Sequence, residues 1–311
     1  MPAGLLIDLN DGRPMQIVAG MRCPSYSGST NEVIAYDTVN INKTPGSQVF
    51  VIPLTPVVVS WVGGTYFPYW WAMSGFVDNG DGTLRFLSET TDRRTVTYRS
   101  YIFEMLPAAS AGNNTGLLIE NSTDFASITS NANVMTCVYS GDINVNGSVT
   151  PPAQGLIFAT WSASNVAVYY DGGQIHAYYP MDNSSNNPAN INLRIAIFQQ
   201  SPPVPGTGLN FFNASGQCTF STSRKPFIIS GNWNVSDGYT DIGNNMVALA
   251  STGVQTTIGG GYCNVRVKGI ERVGNSVRAL NSTFHSNWTD KYPLYKNTTT
   301  AIPLPLIPNF Y

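Results

Sequence analysis

Gly208-Leu209-Asn210-Phe211-Phe212-Asn213-Ala214-Ser215-Gly216-Gln217-Cys218-Thr219-Phe220 sets apolar residues on both sides of a small polar knot, Asn213 to Gly216. Gly, Asn and Ser turn a chain back at little cost, so the stretch reads as a β-hairpin. The theme recurs. The chain opens with Gly4-Leu5-Leu6-Ile7-Asp8-Leu9-Asn10-Asp11-Gly12, and Gly116-Leu117-Leu118-Ile119-Glu120-Asn121-Ser122-Thr123-Asp124-Phe125 follows the same plan. Each copy begins Gly-Leu, runs through a short apolar strand and breaks at Asn. From Gly4 to Gly116 is 112 residues and from Gly116 to Gly208 is 92, each the size of one β-sandwich. The spacing predicts an all-β chain of three tandem β-sandwich-like domains, each opened by one hairpin.

The intervening sequence fits that plan. Domain one, 1–107, holds short β-branched runs at 33–36, 49–52, 57–62 and 95–103. Asp78-Asn79-Gly80-Asp81-Gly82 makes a further hairpin loop within it. Pro107 to Gly112 is small and uncharged, as linkers are. Domain two, 113–200, carries apolar runs at 156–161, 166–170, 174–179 and 193–198. Ser201-Pro202-Pro203-Val204-Pro205-Gly206 then reads as a stiff linker that cannot join a ladder. Domain three, 207–311, has Val265-Arg266-Val267-Lys268, whose alternation predicts a strand with one wet face. Gly274-Asn275 reads as a two-residue hairpin turn after it. No window shows the 3.6-residue apolar period of a helix.

Composition narrows the function classes. Charged residues make up 11% of the chain, where about 25% is usual, and Asn, Ser, Thr and Gly carry the polarity instead. A net charge of −2 offers no field for phosphates, so nucleic acid is not an expected partner. The most apolar window, 49–62, is broken by Pro53 and Pro56 and too short for a bilayer. No basic region followed by an apolar run opens the chain, so neither an export signal nor membrane insertion is expected. The Asn-X-Ser/Thr triplets, at Asn121, Asn213 and Asn281 among others, follow from composition. Cys23, Cys137, Cys218 and Cys263 are too dispersed for a zinc site, with only His176 and His285 to assist. No metal or cofactor is expected; the cysteines read as reduced core thiols, with two disulfides as the alternative.

Aromatic residues carry the sharpest signal. Trp61, Tyr66, Tyr69, Trp70 and Trp71 cluster, and doublets recur at Tyr169-Tyr170 and Tyr178-Tyr179. Neighbours in a strand point to opposite faces, so one member of each doublet should leave its own sandwich core. It is covered either by another protein surface (the next domain or a second subunit) or by a stacked sugar. Interfaces rich in aromatics and poor in charge favour the first.

The carboxylates that could serve a glycosidase are Asp78 with Asp81, Asp237 with Asp241, and Asp171 near His176. They sit among Gly and Asn, where Asp caps its own turn. His176, among tyrosines on an apolar strand, reads as structural. No nucleophile elbow or phosphate-binding loop occurs, and no catalytic residue is assigned. The chain ends in Ala301-Ile302-Pro303-Leu304-Pro305-Leu306-Ile307-Pro308-Asn309-Phe310-Tyr311. Its prolines forbid a helix and a central strand. Ile302, Leu304, Leu306, Ile307, Phe310 and Tyr311 are too apolar for solvent. They read as an extended arm docking on another subunit or a tail protein, with a strap across domain three as the alternative.

The 208–220 hairpin, written Gly-Leu-x-Phe-x-Asn-x-x-Gly-x-x-x-Phe and followed by Ser221-Thr222-Ser223-Arg224-Lys225-Pro226-Phe227, resembles hairpins of small tail-associated proteins of lambda-like long-tailed bacteriophages. The opening Pro2-Ala3-Gly4-Leu5-Leu6-Ile7 is similar to the same group. The resemblance implies a non-enzymatic virion structural protein of the tail tip or tail fibre region. It would be made in the host cytoplasm and carried in the virion tail. Expected partners are further copies of itself, other tail proteins, and a host surface receptor or glycan. The rival readings are a carbohydrate-binding or carbohydrate-cleaving protein using 61–71 as a sugar platform, and a viral coat protein.

Overall fold

The structure is a computed structural model. It describes residues 4–8, 13–18, 21–34, 38–60, 69–90, 97–106, 116–117, 128–129, 134–180, 185–212, 215–259, 262–289 and 296–311. The chain is all-β, and no helix occurs among the described residues. The recurrent hairpins become three two-stranded ribbons: Gly4–Ile7 with Met15–Val18, Gly116–Leu117 with Ile128–Thr129, and Asn210–Phe212 with Cys218–Ser221. Each ribbon pairs only within itself, so none is the first strand of a sandwich.

Strands from 25–105 form two small sheets. Gln48–Pro53 and Ser25–Ile34 flank Thr97–Met105 in one; Val57–Ser60, Tyr69–Asp78, Thr83–Thr90 and Thr38–Asn40 make the other. Val49, Val51, Tyr98 and Ile102 from the first meet Trp71, Met73, Leu84 and Phe86 from the second in one core. Asp78 to Gly82 closes its hairpin with Gly80 and Gly82 at positive φ, a conformation that favours glycine.

The expected division between 113–200 and 207–311 is not how the remaining strands pair. A six-stranded sheet runs Thr136–Asn146, Asn190–Gln199, Leu156–Thr160, Asn245–Ala248, Leu304–Pro308, Gly231–Trp233. Its two halves come from either side of the Pro-rich segment and join where Phe158 pairs with Ala248. A nine-stranded sheet mixes them again: Ala163–Tyr170 pairs with Tyr262–Val273 through Val168 and Ile270. Phe158, Val168, Ile195, Val247 and Ile270 share the core between these sheets. Prolines at 202, 203 and 205 interrupt a ladder locally but do not decide where the next strand pairs. Strand registry, set by burial, does.

The C-terminal stretch is a second correction. Leu304–Pro308 lies inside the six-stranded sheet, between Asn245–Ala248 and Gly231–Trp233. Alternate residues turn their backbone groups to opposite neighbours. The Leu306 carbonyl accepts from Ser230 N at 2.9 Å, so Leu306 and Pro308 face the 231–233 side and Pro305 faces the 245–248 side. Pairing with 231–233 spans only 304–306, and pairing with 245–248 spans only 306–308. Each proline therefore lacks its N–H where no partner strand stands opposite.

The 265–268 alternation holds, but the polar face is not wet. Arg266 and Lys268 are as buried as Val265 and Val267, with which they alternate. Lys268 Nζ reaches Asp237 Oδ1 at 2.6 Å, and Arg266 donates to the Ser282 carbonyl at 3.3 Å. Alternation reports two unlike faces; it does not distinguish water from buried partners. The Gly274-Asn275 turn forms as read, with Val273 pairing Ser276 across it.

Candidate functional site

In Tyr69–Asp78 successive side chains point to opposite faces. Trp71, 3% exposed, fills the core between the two small sheets. Trp70, 2% exposed, leaves that core and packs on Val254, Cys263 and Val265 of the nine-stranded sheet. The cover for the second ring is thus this chain's own Gly253–Gly259 and Tyr262–Val273 strands. Neither ring has a face open to a sugar. Tyr69 is half-buried, 6.2 Å from Trp71 between ring centres. Trp61 and Tyr66 lie outside the described residues.

The Tyr169-Tyr170 doublet divides in the same way. Tyr170 enters the main core, and its hydroxyl donates to Gln154 Oε1 at 2.8 Å. Burial, with Tyr101 and Asp171 nearby, raises its phenol to about 12. Tyr169 takes the other face, where its hydroxyl meets Thr283 Oγ1 at 2.7 Å. Burial pushes that phenol far up. Its ring stacks on His176 at 4.7 Å, and Tyr178 continues the ladder 6.2 Å beyond. Tyr178 is half-buried; Tyr179 is exposed.

Asp171 ties this ladder to its turn. Oδ1 accepts from Gly173 N at 2.8 Å and Gln174 N at 2.7 Å, while Oδ2 contacts His176 Nε2 at 2.8 Å. Burial pushes the carboxyl up, but the imidazole and the two amides outweigh it and hold it at about 2. The other carboxylates are engaged in turns or ion pairs. Asp78 accepts from Gly80 N at 2.9 Å and holds Lys43; Asp81 accepts from Thr83 N at 3.0 Å; Asp241 accepts from Gly243 N at 2.8 Å. Asp237 binds Lys268 and, through Oδ2, Asn297 at 2.8 Å.

The six apolar side chains of the C-terminal stretch are not available as an arm. Leu304, Leu306, Ile307, Phe310 and Tyr311 are buried in the main core, and Ile302 is buried in the core of the two small sheets. Tyr311 donates its hydroxyl to the Pro226 carbonyl and accepts from Ile228 N at 3.2 Å. Burial raises its phenol well above the ordinary range.

One site went unread in the sequence. Arg13, Arg194, Arg224 and Lys225 converge on a cleft of about 500 Å³ beside Tyr311. These cations come from three distant segments, each ordinary by itself. Cys137 lies at this cleft too, and all four cysteines are free thiols. Burial raises Cys23 to about 12 and Cys137 to about 11. Among the described residues no group of three or more His, Cys, Asp or Glu is placed to hold a metal, and no helix is long and apolar enough to cross a membrane.

These features define an all-β chain whose expected site residues are largely spent on its own packing. It belongs to a family of unknown function, DUF6453, matched over residues 4–290. The match runs from the opening ribbon into the last residues of the long 262–289 hairpin. No curated protein and no solved structure matches the chain.

Proposed function

We propose that the chain is a non-enzymatic structural protein of a bacteriophage tail, in the tip or fibre region, with host-surface attachment as a second role. The observation that carries this reading is where its apolar surface lies. Of the seven exposed large hydrophobic residues described, Leu6, Val204, Leu209 and Phe212 lie on or beside the first and third ribbons. Those are the segments that resemble tail-associated proteins. Isolated exposed leucines mean little, but four exposed apolar side chains on two hairpin segments suit contact with another protein. The two segments are also joined. Arg22 and Ile229 exchange backbone hydrogen bonds at 2.9 and 2.7 Å, and Lys225 Nζ donates to the Arg13 carbonyl at 3.1 Å. Met15, Ile17, Phe220 and Phe227 share one core beneath them.

Partners on this reading are further copies of the chain and other tail proteins. Interrupting the reading frame in a phage genome that encodes it tests the proposal. Electron microscopy and adsorption assays should find particles with incomplete tails or particles that fail to adsorb. Complete, infectious particles lacking the chain would overturn it.

A further inference from the structure

Away from the ribbons, the exposed side chains Tyr239 and Val273 share one corner of the nine-stranded sheet. Asp241 pairs with Ser276, which pairs in turn with Val273, and Arg278 pairs with Glu271 in the next row. Residues two apart on a strand share a face, so these five side chains point away from the core that takes Ile270 and Val277. Tyr239, two residues before Asp241, lays its ring over Arg278, with 4.6 Å from the guanidinium carbon to the ring centre. The cation beneath the ring is fixed in turn. Arg278 Nε binds Glu271, a carboxylate 2% exposed, which also accepts from the Asn165 N–H. Asn165 presents that N–H from a φ of 61°, a conformation that asparagine adopts more readily than most residues. Desolvation, and then the nearby Glu271 carboxylate, raise the Tyr239 phenol. The ring is nonetheless 51% exposed, as expected when one face is covered and the other is open.

Tyr239 is thus a flat aromatic platform held in place by the chain itself. Glu271 neutralises Arg278, so no net charge stands behind the ring. Asp241 spends Oδ1 on Gly243 N at 2.8 Å, which leaves Oδ2 for another donor. The surroundings decide the ligand's class. Asp237, Thr240 and Asp241 beside Tyr239 in the chain, and Asn275 at the adjoining turn, are exposed. A stable protein interface needs about 800 Å² per partner around an apolar centre, and two apolar side chains among polar neighbours do not make one. A pyranose needs less. It offers a face of C–H groups to stack on one ring and an equator of hydroxyls to donate to a carboxylate. An acidic sugar would meet Asp241 with like charge. We propose that Tyr239 and Asp241 form a binding site for a neutral pyranose, stacked on the ring and hydrogen-bonded through a hydroxyl to Asp241. The inference stands on this corner alone, so its failure would leave the tail reading untouched.

Saturation-transfer NMR on the full chain tests it, with methyl β-glucoside, methyl β-galactoside, methyl α-mannoside and glucuronic acid as probes. One stacked ring with few hydrogen bonds places the affinity in the millimolar range. At least one neutral glycoside should bind saturably, more tightly than glucuronic acid, and take most of its saturation on the C–H groups of one face. Tyr239→Ala should weaken that binding about tenfold or more and Asp241→Asn severalfold, whereas Tyr239→Phe should keep most of it. If the alanine variant does not fold, isotopic labelling of tyrosine in the wild type decides. The Tyr239 ring signal, identified by its loss in Tyr239→Phe, should shift as the glycoside is added. The proposal fails if no neutral glycoside binds, if glucuronic acid binds as tightly, or if Tyr239→Ala binds as the wild type does. It fails equally if the Tyr239 signal shifts only with protein concentration, the mark of a contact between copies.

Discussion

At the residue scale, Trp70 and Trp71 show how much a strand's two-residue period can convey. That the rings part to opposite faces was legible in the doublet; that the second face meets strands almost two hundred residues away was not. Truncating either ring leaves a large cavity in a closed core. Trp71→Ala and Trp70→Ala should each cost about 3–5 kcal/mol in denaturant unfolding. A loss under about 1 kcal/mol at Trp70 would show that its face is not sealed by Val254, Cys263 and Val265. Asp171 allows a pH test. Its folded carboxyl titrates at about 2, below its ordinary value of 3.8, so its stabilisation is complete above the ordinary value and fades as pH falls toward 2. The melting-temperature gap between wild type and Asp171→Asn should therefore be widest near neutrality and close between about pH 4 and pH 2. A gap that stays constant to pH 2 would contradict the pairing with His176.

At the scale of single elements, local pattern was a good guide to strands and a poor one to their neighbours. The runs at 49–52, 156–161 and 193–198 appear as Gln48–Pro53, Leu156–Thr160 and Asn190–Gln199. Leu304–Pro308 was hidden because a proline rule describes a strand paired along both sides over its whole length. Here the two partners overlap only at Leu306, and staggered pairing accommodates both prolines. Arg266 and Lys268 were misread for a related reason: polarity marks a face, and tertiary structure decides what covers it. A chain truncated after Thr300 loses a central strand together with six buried apolar side chains. It should lose cooperative melting or be recovered insoluble. Unchanged melting of that shortened chain would show the strand to be dispensable.

For the whole molecule, the linker signal at 201–206 was real but did not bound a domain. Residues 202 and 204–209 are exposed, so a protease should cut there readily. The fragments should nevertheless stay together in gel filtration without denaturant, because both large sheets need strands from each side of the cut. Fragments that elute separately would restore the tandem-domain division. The basic cleft was illegible for the same topological reason: its cations meet only once the sheets have formed. The hairpins on which the functional reading rests were, by contrast, readable from the first. If that reading holds, the chain is a fixed part of the particle. Quantitative mass spectrometry of purified phage particles and isolated tails, from a genome that encodes it, tests this most directly. The account predicts the chain in both preparations at one constant ratio to the other tail proteins. Its absence from both, with the protein present in the lysate, would contradict it.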